Sequence, residues 1–191
     1  TKRVSGHMTA GDVFSATPPL ECLRMVLSLA MSSGPTLGKS EDEDIVILFL
    51  DISRAHPHCP MRRDVYTEFP PEHPLSADKS KCGKLAMTLY GCRDAGQNFE
   101  LFVYEICSTN GAVRGLTNPC VYSHPGRGLA FFHHGDDFVI KGKRANTQWL
   151  KRALAEKLIV KDRGSLGPRA SDCKEISIPV SYTHLTLPTI E

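Results

Sequence analysis

Apolar and polar positions alternate along this chain with two different periods. Leu20 to Ser32 (LECLRMVLSLAMS) carries apolar residues at helical spacing just after Pro18-Pro19, which predicts a helix. The following stretch, 33 to 44, is polar, acidic and rich in turn residues, and predicts a loop. Ile45 to Ile52 (IVILFLDI) is a continuous β-branched and aliphatic run, the pattern of a strand buried on both faces, and it carries an aspartate, Asp51, near its end. Val65 to Phe69 predicts a short strand closed by Pro70-Pro71, and Ala95 to Cys107 an amphipathic helix. Cys120 to Ser123 and Leu129 to His133 read as two strands around the turn Pro125-Gly126-Arg127-Gly128. Strand character resumes at Phe138 to Ile140, which places Asp136-Asp137 at a hairpin tip. Asn146 to Leu158 predicts a helix, followed by a short strand and a turn at Gly164. The mixture of strands and helices points to an α/β or α+β sheet domain.

Composition narrows this picture only a little. At 191 residues and 41% hydrophobic, the chain can bury one ordinary core, or one core with a smaller lobe. Twenty-three Lys and Arg against 21 Asp and Glu leave a net charge of +2, too small to argue for a polyanionic partner. Distribution says more, because 139 to 163 is strongly basic and could face phosphates or simply be a solvated face. The seven cysteines are scattered without a C-x-x-C pair, which predicts reduced, intracellular thiols. No apolar run has the roughly 18 residues of a membrane span, and the first residues are not a signal peptide. The chain does not begin with Met, from which a longer reading frame is expected.

Adjacent aspartates on a hairpin tip raise one another's pKa unless a cation sits between them. With a third carboxylate on a neighbouring strand, such a set can hold two divalent ions that clamp the oxygens of a phosphoryl transfer. By itself, an Asp-Asp pair is more often a solvated turn. A zinc reading of His56, His58 and Cys59 with His133 and His134 fits no standard ligand spacing. Trp149 is expected to anchor its helix to the sheet.

Five blocks, in order, resemble the reverse transcriptase of copia-type LTR retrotransposons. LFLDISRAH (48 to 56) is similar to the first palm motif, and FFHHGDDFVI (131 to 140) to the hydrophobic hairpin with paired aspartates. KLAMTLYGCRDAGQNFE (84 to 100) resembles the Leu-Tyr-Gly block that precedes a basic residue and a helix. LKRALAEKLIVKDRGSLG (150 to 167) is similar to the family's helix, short strand and Lys-Asp-x-Gly, and TPPLECLRMVLSLA (17 to 30) to its fingers helix.

The resemblance implies an α+β fold: a polymerase palm, an antiparallel sheet with helices packed on one face, plus partial fingers and no thumb. It divides the chain into partial fingers (1 to 44), palm (45 to 178) and a tail (179 to 191). It further implies RNA-directed DNA polymerase activity with two Mg²⁺ or Mn²⁺ ions. Asp51, Asp136 and Asp137 would be catalytic and metal-binding, Ile52 would contribute backbone, and His56, Tyr90, Gly91 and Arg93 would line the nucleotide and template pocket. The implied partners are an RNA or DNA template with primer, deoxynucleoside triphosphates, and the integrase and RNase H of the same polyprotein, with no membrane. The implied location is a cytoplasmic particle or the nucleus, and not outside the cell.

This chain departs from the family pattern at several places. His56 stands where Phe or Tyr blocks a ribose 2′-hydroxyl, His134-Gly135 replace an aromatic-variable pair, and Asp94, Gly96 and Gln97 replace Gln, Pro and Arg. Residues 179 to 189 (PVSYTHLTLPT) resemble a translated sequencing adapter, so the tail is excluded from the expected fold. Two rival readings are a degenerate, inactive or merely nucleic-acid-binding remnant, and a two-metal nuclease.

Overall fold

The computed structural model of the protein describes residues 15–32, 40–178 and 183–186. Along the chain run helix α1 (Leu20–Ser32), strand β1 (Ile45–Ser53), the short strands β2 (Tyr66–Thr67) and β3 (Gly83–Lys84), and helix α2 (Ala95–Thr109). Then come β4 (Val113–Arg114), β5 (Val121–His124), β6 (Leu129–His134), β7 (Asp137–Lys143), helix α3 (Arg144–Ala155), β8 (Ile159–Leu166), β9 (Glu175–Ile178) and β10 (Thr183–Thr186). The described residues fall into two compact units, one of 54–102 with Ser15, the other of 16–53 and 103–186. The boundary expected at 44/45 falls inside the second unit.

The second unit is α+β. Its sheet has the order β4-β5-β6-β7-β1-β8, antiparallel at every step. The apolar run of β1 takes a central place because both its faces need cover: Val46 to Leu50 are all buried. One face is built from Ile47 and Phe49 with Phe132, Val139 and Leu166, on which Cys22, Leu23 and Val26 of α1 pack. Leu48, Leu50, Phe138 and Ile140 alternate with these and are equally buried, and α3 contacts β7, β1 and β8 with its own buried Leu150 and Leu154. The sheet centre is therefore covered on both faces, where helices on one face were expected.

Two boundaries differ from the sequence reading for identifiable reasons. Helix α3 starts at Arg144, straight from the end of β7, because the Asp44 carbonyl accepts the Arg144 N–H at 2.9 Å and satisfies a first-turn donor that the helix itself cannot. Gly164 does not end a strand in a turn but lies within β8. There the partners step from Phe49↔Gly164 to Leu50↔Asp162, leaving Arg163 as the extra residue of a β-bulge. Gly164 takes φ +109°, and a Cβ there would meet Cys173 Sγ at 2.8 Å, so the bulge requires glycine on both counts.

Asp44, fully buried, is held by the guanidinium of Arg169, while Arg144 reaches Asp172 at 2.8 and 2.9 Å. Within the tail excluded above, Thr183–Thr186 runs antiparallel to β9, Thr183 opposite Ile178. The β-branched composition of that segment suits extended backbone; the rest of 179–191 lies outside the described residues.

The first unit carries the β2/β3 pair and the opening of α2. All seven cysteines are free thiols, with Cys22, Cys59, Cys107 and Cys120 buried. Burial pushes the thiols of Cys59 and Cys107 up to about 12, which keeps both uncharged. Among the described residues, no helix is long and apolar enough to cross a membrane.

Candidate active site

The carboxylates come from two adjacent strands. Strand β1 delivers Asp51 two residues before its end, and the β6–β7 hairpin delivers Asp136 and Asp137. His134 pairs with Asp137 across a two-residue turn whose first position, Gly135, has φ +58°, while Asp136 keeps a negative φ. That is the II′ arrangement, whose twist matches the flanking strands and whose first central position is best filled by glycine. The Gly135 that departs from the family pattern therefore has a local conformational reason. His133, buried below the turn, donates its Nδ1 proton to the Gly135 carbonyl at 3.3 Å and stacks on Phe138 with centroids 5.3 Å apart. Burial pushes its imidazole down to about 4, so the ring is neutral at physiological pH.

Across the ladder, Asp51 is the direct partner of Asp137. The Ile52 N–H donates to the Asp136 carbonyl at 2.9 Å, so the neighbouring pair is the hydrogen-bonded one. Asp51 and Asp137 thus form a non-hydrogen-bonded pair, the class with Cα atoms about 4.5 Å apart and side chains closest. Asp136 is exposed at the tip and Asp137 is half-buried. Desolvation raises the Asp137 pKa above the usual carboxylate range, with Asp136 and Asp51 adding to it and Arg163 working against it.

Positive charge answers from the other side of β1. Lys161 is the β8 partner of Asp51, and the bulged Arg163 donates to Asp51 Oδ1 at 2.8 Å. The sequence offers this basic stretch as a phosphate face or a solvated one. Part of it is spent on internal pairs instead: Arg163 with Asp51, Lys151 with Asp162 at 2.7 Å, and Arg144 with Asp172. The signal for Arg163 was the glycine after it, which permits the bulge.

Hard anionic oxygens on two paired strands suit Mg²⁺ or Mn²⁺ in chemistry and in register. Asp51, however, is bound to Arg163, and among the described residues no group of three His, Cys, Asp or Glu side chains is set to hold a metal ion.

The residues expected to line the nucleotide pocket belong to the first unit and are described within it. His56, in a short 3₁₀ turn, meets Tyr90 edge-on at 4.8 Å and Phe99 at 6.3 Å. Tyr90 is 65% exposed, Gly91 takes φ +93°, and Arg93 is exposed. Beside them lies a pair that sequence reading missed. Asp94, buried just ahead of α2, accepts two 2.9 Å hydrogen bonds from Arg63 and one at 3.3 Å from Asn98, which also reaches Thr88 at 3.2 Å. Burial alone would raise the Asp94 pKa, but the Arg63 guanidinium, the Asp94 backbone N–H and the Asn98 amide together outweigh it and hold the carboxyl below its ordinary value.

No protein-family model and no solved structure matches the chain. Over 157 residues, 80% of its length, the chain is 24% identical to the Retrovirus-related Pol polyprotein from transposon TNT 1-94 of Nicotiana tabacum. It spans 11% of that polyprotein. This similarity supports a retrotransposon origin for the chain.

Proposed function

We propose that this chain is the palm, with part of the fingers, of a retrotransposon reverse transcriptase, and that it serves template-directed addition of deoxynucleotides to a primer 3′-hydroxyl. The observation that carries the reading is the placement of Asp51 directly opposite Asp137, with Ile52 tied to Asp136 alongside. Similarity to a Pol polyprotein supports the same reading.

In this proposal Asp51, Asp136 and Asp137 hold the divalent ions, with the Ile52 backbone beside the triphosphate. When bound, two Mg²⁺ or Mn²⁺ ions neutralise the triphosphate and lower the pKa of the attacking hydroxyl. Protein side chains contribute positioning, which in phosphoryl transfer supplies much of the acceleration. Tyr90, Gly91 and Arg93 are assigned to the nucleotide and template, and His56 to the sugar. The template–primer is held through its backbone, and base pairing reads the sequence.

A primer-extension assay with Mg²⁺ or Mn²⁺ tests this, comparing the 191-residue chain, a longer chain continuing into the following polyprotein region, and Asp136→Asn in each. Extension by the longer chain that Asp136→Asn abolishes is expected, with little from the shorter one. Release of mononucleotides without extension would identify a nuclease instead. A catalytically silent, nucleic-acid-binding remnant is the second reading, favoured by the Arg163 guanidinium already seated on Asp51. Duplex binding unchanged by Asp51→Asn and Asp136→Asn, with no extension, would decide for it.

A further inference from the structure

The cation seated at the carboxylates belongs to the protein itself. Two aspartates directly opposed across a ladder repel each other, a cost that a nearby counter-charge relieves. Arg163 supplies it: its Nη2 lies 2.8 Å from Asp51 Oδ1. An ordinary strand residue in that part of β8 would have a β1 partner and a side chain aligned with its row. Arg163 has no β1 partner, because the register steps past it between Gly164 and Asp162. The bulge re-aims this side chain, a recurring use of bulges beside functional sites. Gly164 makes the bulge possible, and Asp162 braces it by accepting the Gly164 N–H at 2.8 Å.

We propose that Arg163 is an internal counter-cation of the Asp51–Asp137 pair, and that it and a divalent metal ion occupy Asp51 in mutually exclusive fashion. The inference rests on the divalent-cation reading of the site given above. Three observations favour exchange over a permanent strut. Arg163 is 46% exposed in its side chain, so it has solvent to move into, while Asp51 is only 15% exposed and stays. Lys161, opposite Asp51 on β8, leaves positive charge behind when the guanidinium departs. With Arg163 in place, the described residues contain no three-ligand metal group, although Asp51 and Asp137 are direct strand partners and Asp136 occupies the turn beside them. Arg163 is thus a positioning residue: it fixes the side chain of Asp51 in the metal-free state and sets the threshold at which a divalent ion can enter.

The test is Mn²⁺ titration of the full 191-residue chain, followed by the loss of the free-ion electron paramagnetic resonance signal, for the wild type, Arg163→Gln and Arg163→Lys. Thermal unfolding with and without Mn²⁺ is measured in parallel. Removing a competing, partly exposed ion pair is expected to tighten Mn²⁺ binding by about fivefold. Arg163→Lys should lie between the two, and Arg163→Gln should melt lower than wild type without metal and regain the difference when Mn²⁺ is added. Binding of equal or lower strength in Arg163→Gln overturns the exchange while leaving the cation site standing. Failure of every protein to bind Mn²⁺ overturns the cation site and the exchange together.

Discussion

Asp51 and Asp137 face one another as a non-hydrogen-bonded pair on antiparallel strands, with the Asp136 carbonyl bonded to the amide just beyond Asp51. Like charges placed this way weaken a sheet. The cost shows at Asp137, whose pKa is raised chiefly by desolvation and further by its two acidic neighbours.

Replacing Asp137 by Asn is therefore expected to stabilise the metal-free protein at neutral pH, by less than about 1 kcal/mol because the group is partly solvated. The pH dependence has a definite sign. A carboxyl with a raised folded-state pKa favours folding fully below its unfolded pKa, and that advantage is lost as pH rises through the folded value. Thermal melts of wild type and Asp137→Asn should thus separate progressively from acid toward neutrality; a constant offset would contradict this assignment. The same substitution should abolish primer extension, so stability and activity move in opposite directions.

Gly164→Ala is expected to destabilise the second unit by about 1–3 kcal/mol, measured by chemical denaturation. Its backbone sits at φ +109°, and its new methyl would press on Cys173 Sγ. Adding Cys173→Ala should recover the steric part and leave the dihedral strain. Full recovery in the double variant would show that the backbone imposes no requirement of its own.

Arg63→Ala leaves the buried Asp94 carboxylate with Asn98 alone among its side-chain donors described above and should cost about 2 kcal/mol. The Asp94 pKa is depressed, so its contribution is present above the unfolded pKa and is lost as pH falls through the folded value. Acid unfolding of the first unit, followed by hydrogen exchange within 54–102, should shift to higher pH in the variant. An unshifted profile would remove Arg63 from the account.

His133 carries the opposite kind of proton linkage from Asp137. Its pKa falls from 6.5 to about 4 on folding, so the unfolded chain binds the extra proton, and stability is lost as pH drops from about 6.5 toward 4. The loss can reach about 3 kcal/mol for a shift of this size. His133→Phe should flatten the stability profile over that interval, read from denaturant midpoints at a series of pH values. A profile as steep as that of wild type would mean that the imidazole is not the group responsible.

Local features of this fold were legible where local chemistry decides them. The IVILFLDI run reads as a doubly buried strand because it is short, rich in β-branched residues and preceded by a turn-rich loop, and α1 follows from its spacing after Pro18-Pro19. The hairpin at Asp136-Asp137 follows from strand character on both sides of a Gly-Asp turn. What escaped was set by distant partners. Arg163 reaches a residue 112 positions earlier, and only the paired strands reveal the bulge that aims it. Asp94 reads in the sequence only as a departure from the family pattern, and its counter-charge comes from Arg63, 31 positions upstream. The start of α3 depends on a carbonyl from Asp44, which no helix periodicity in 146–158 could contain.

The place of β1 at the heart of the sheet also governs how the chain comes into being. Its neighbours in the ladder are β7 and β8, so Ile45 to Leu50 leave the ribosome long before either flanking strand has been synthesised. At cellular elongation rates that interval is on the order of ten seconds. Throughout it, the most apolar and β-prone segment of the protein waits with both edges open, a template for any other nascent strand. Yield of this protein in cells should therefore depend on translation speed and on holdase chaperones more than on the depth of its native energy well.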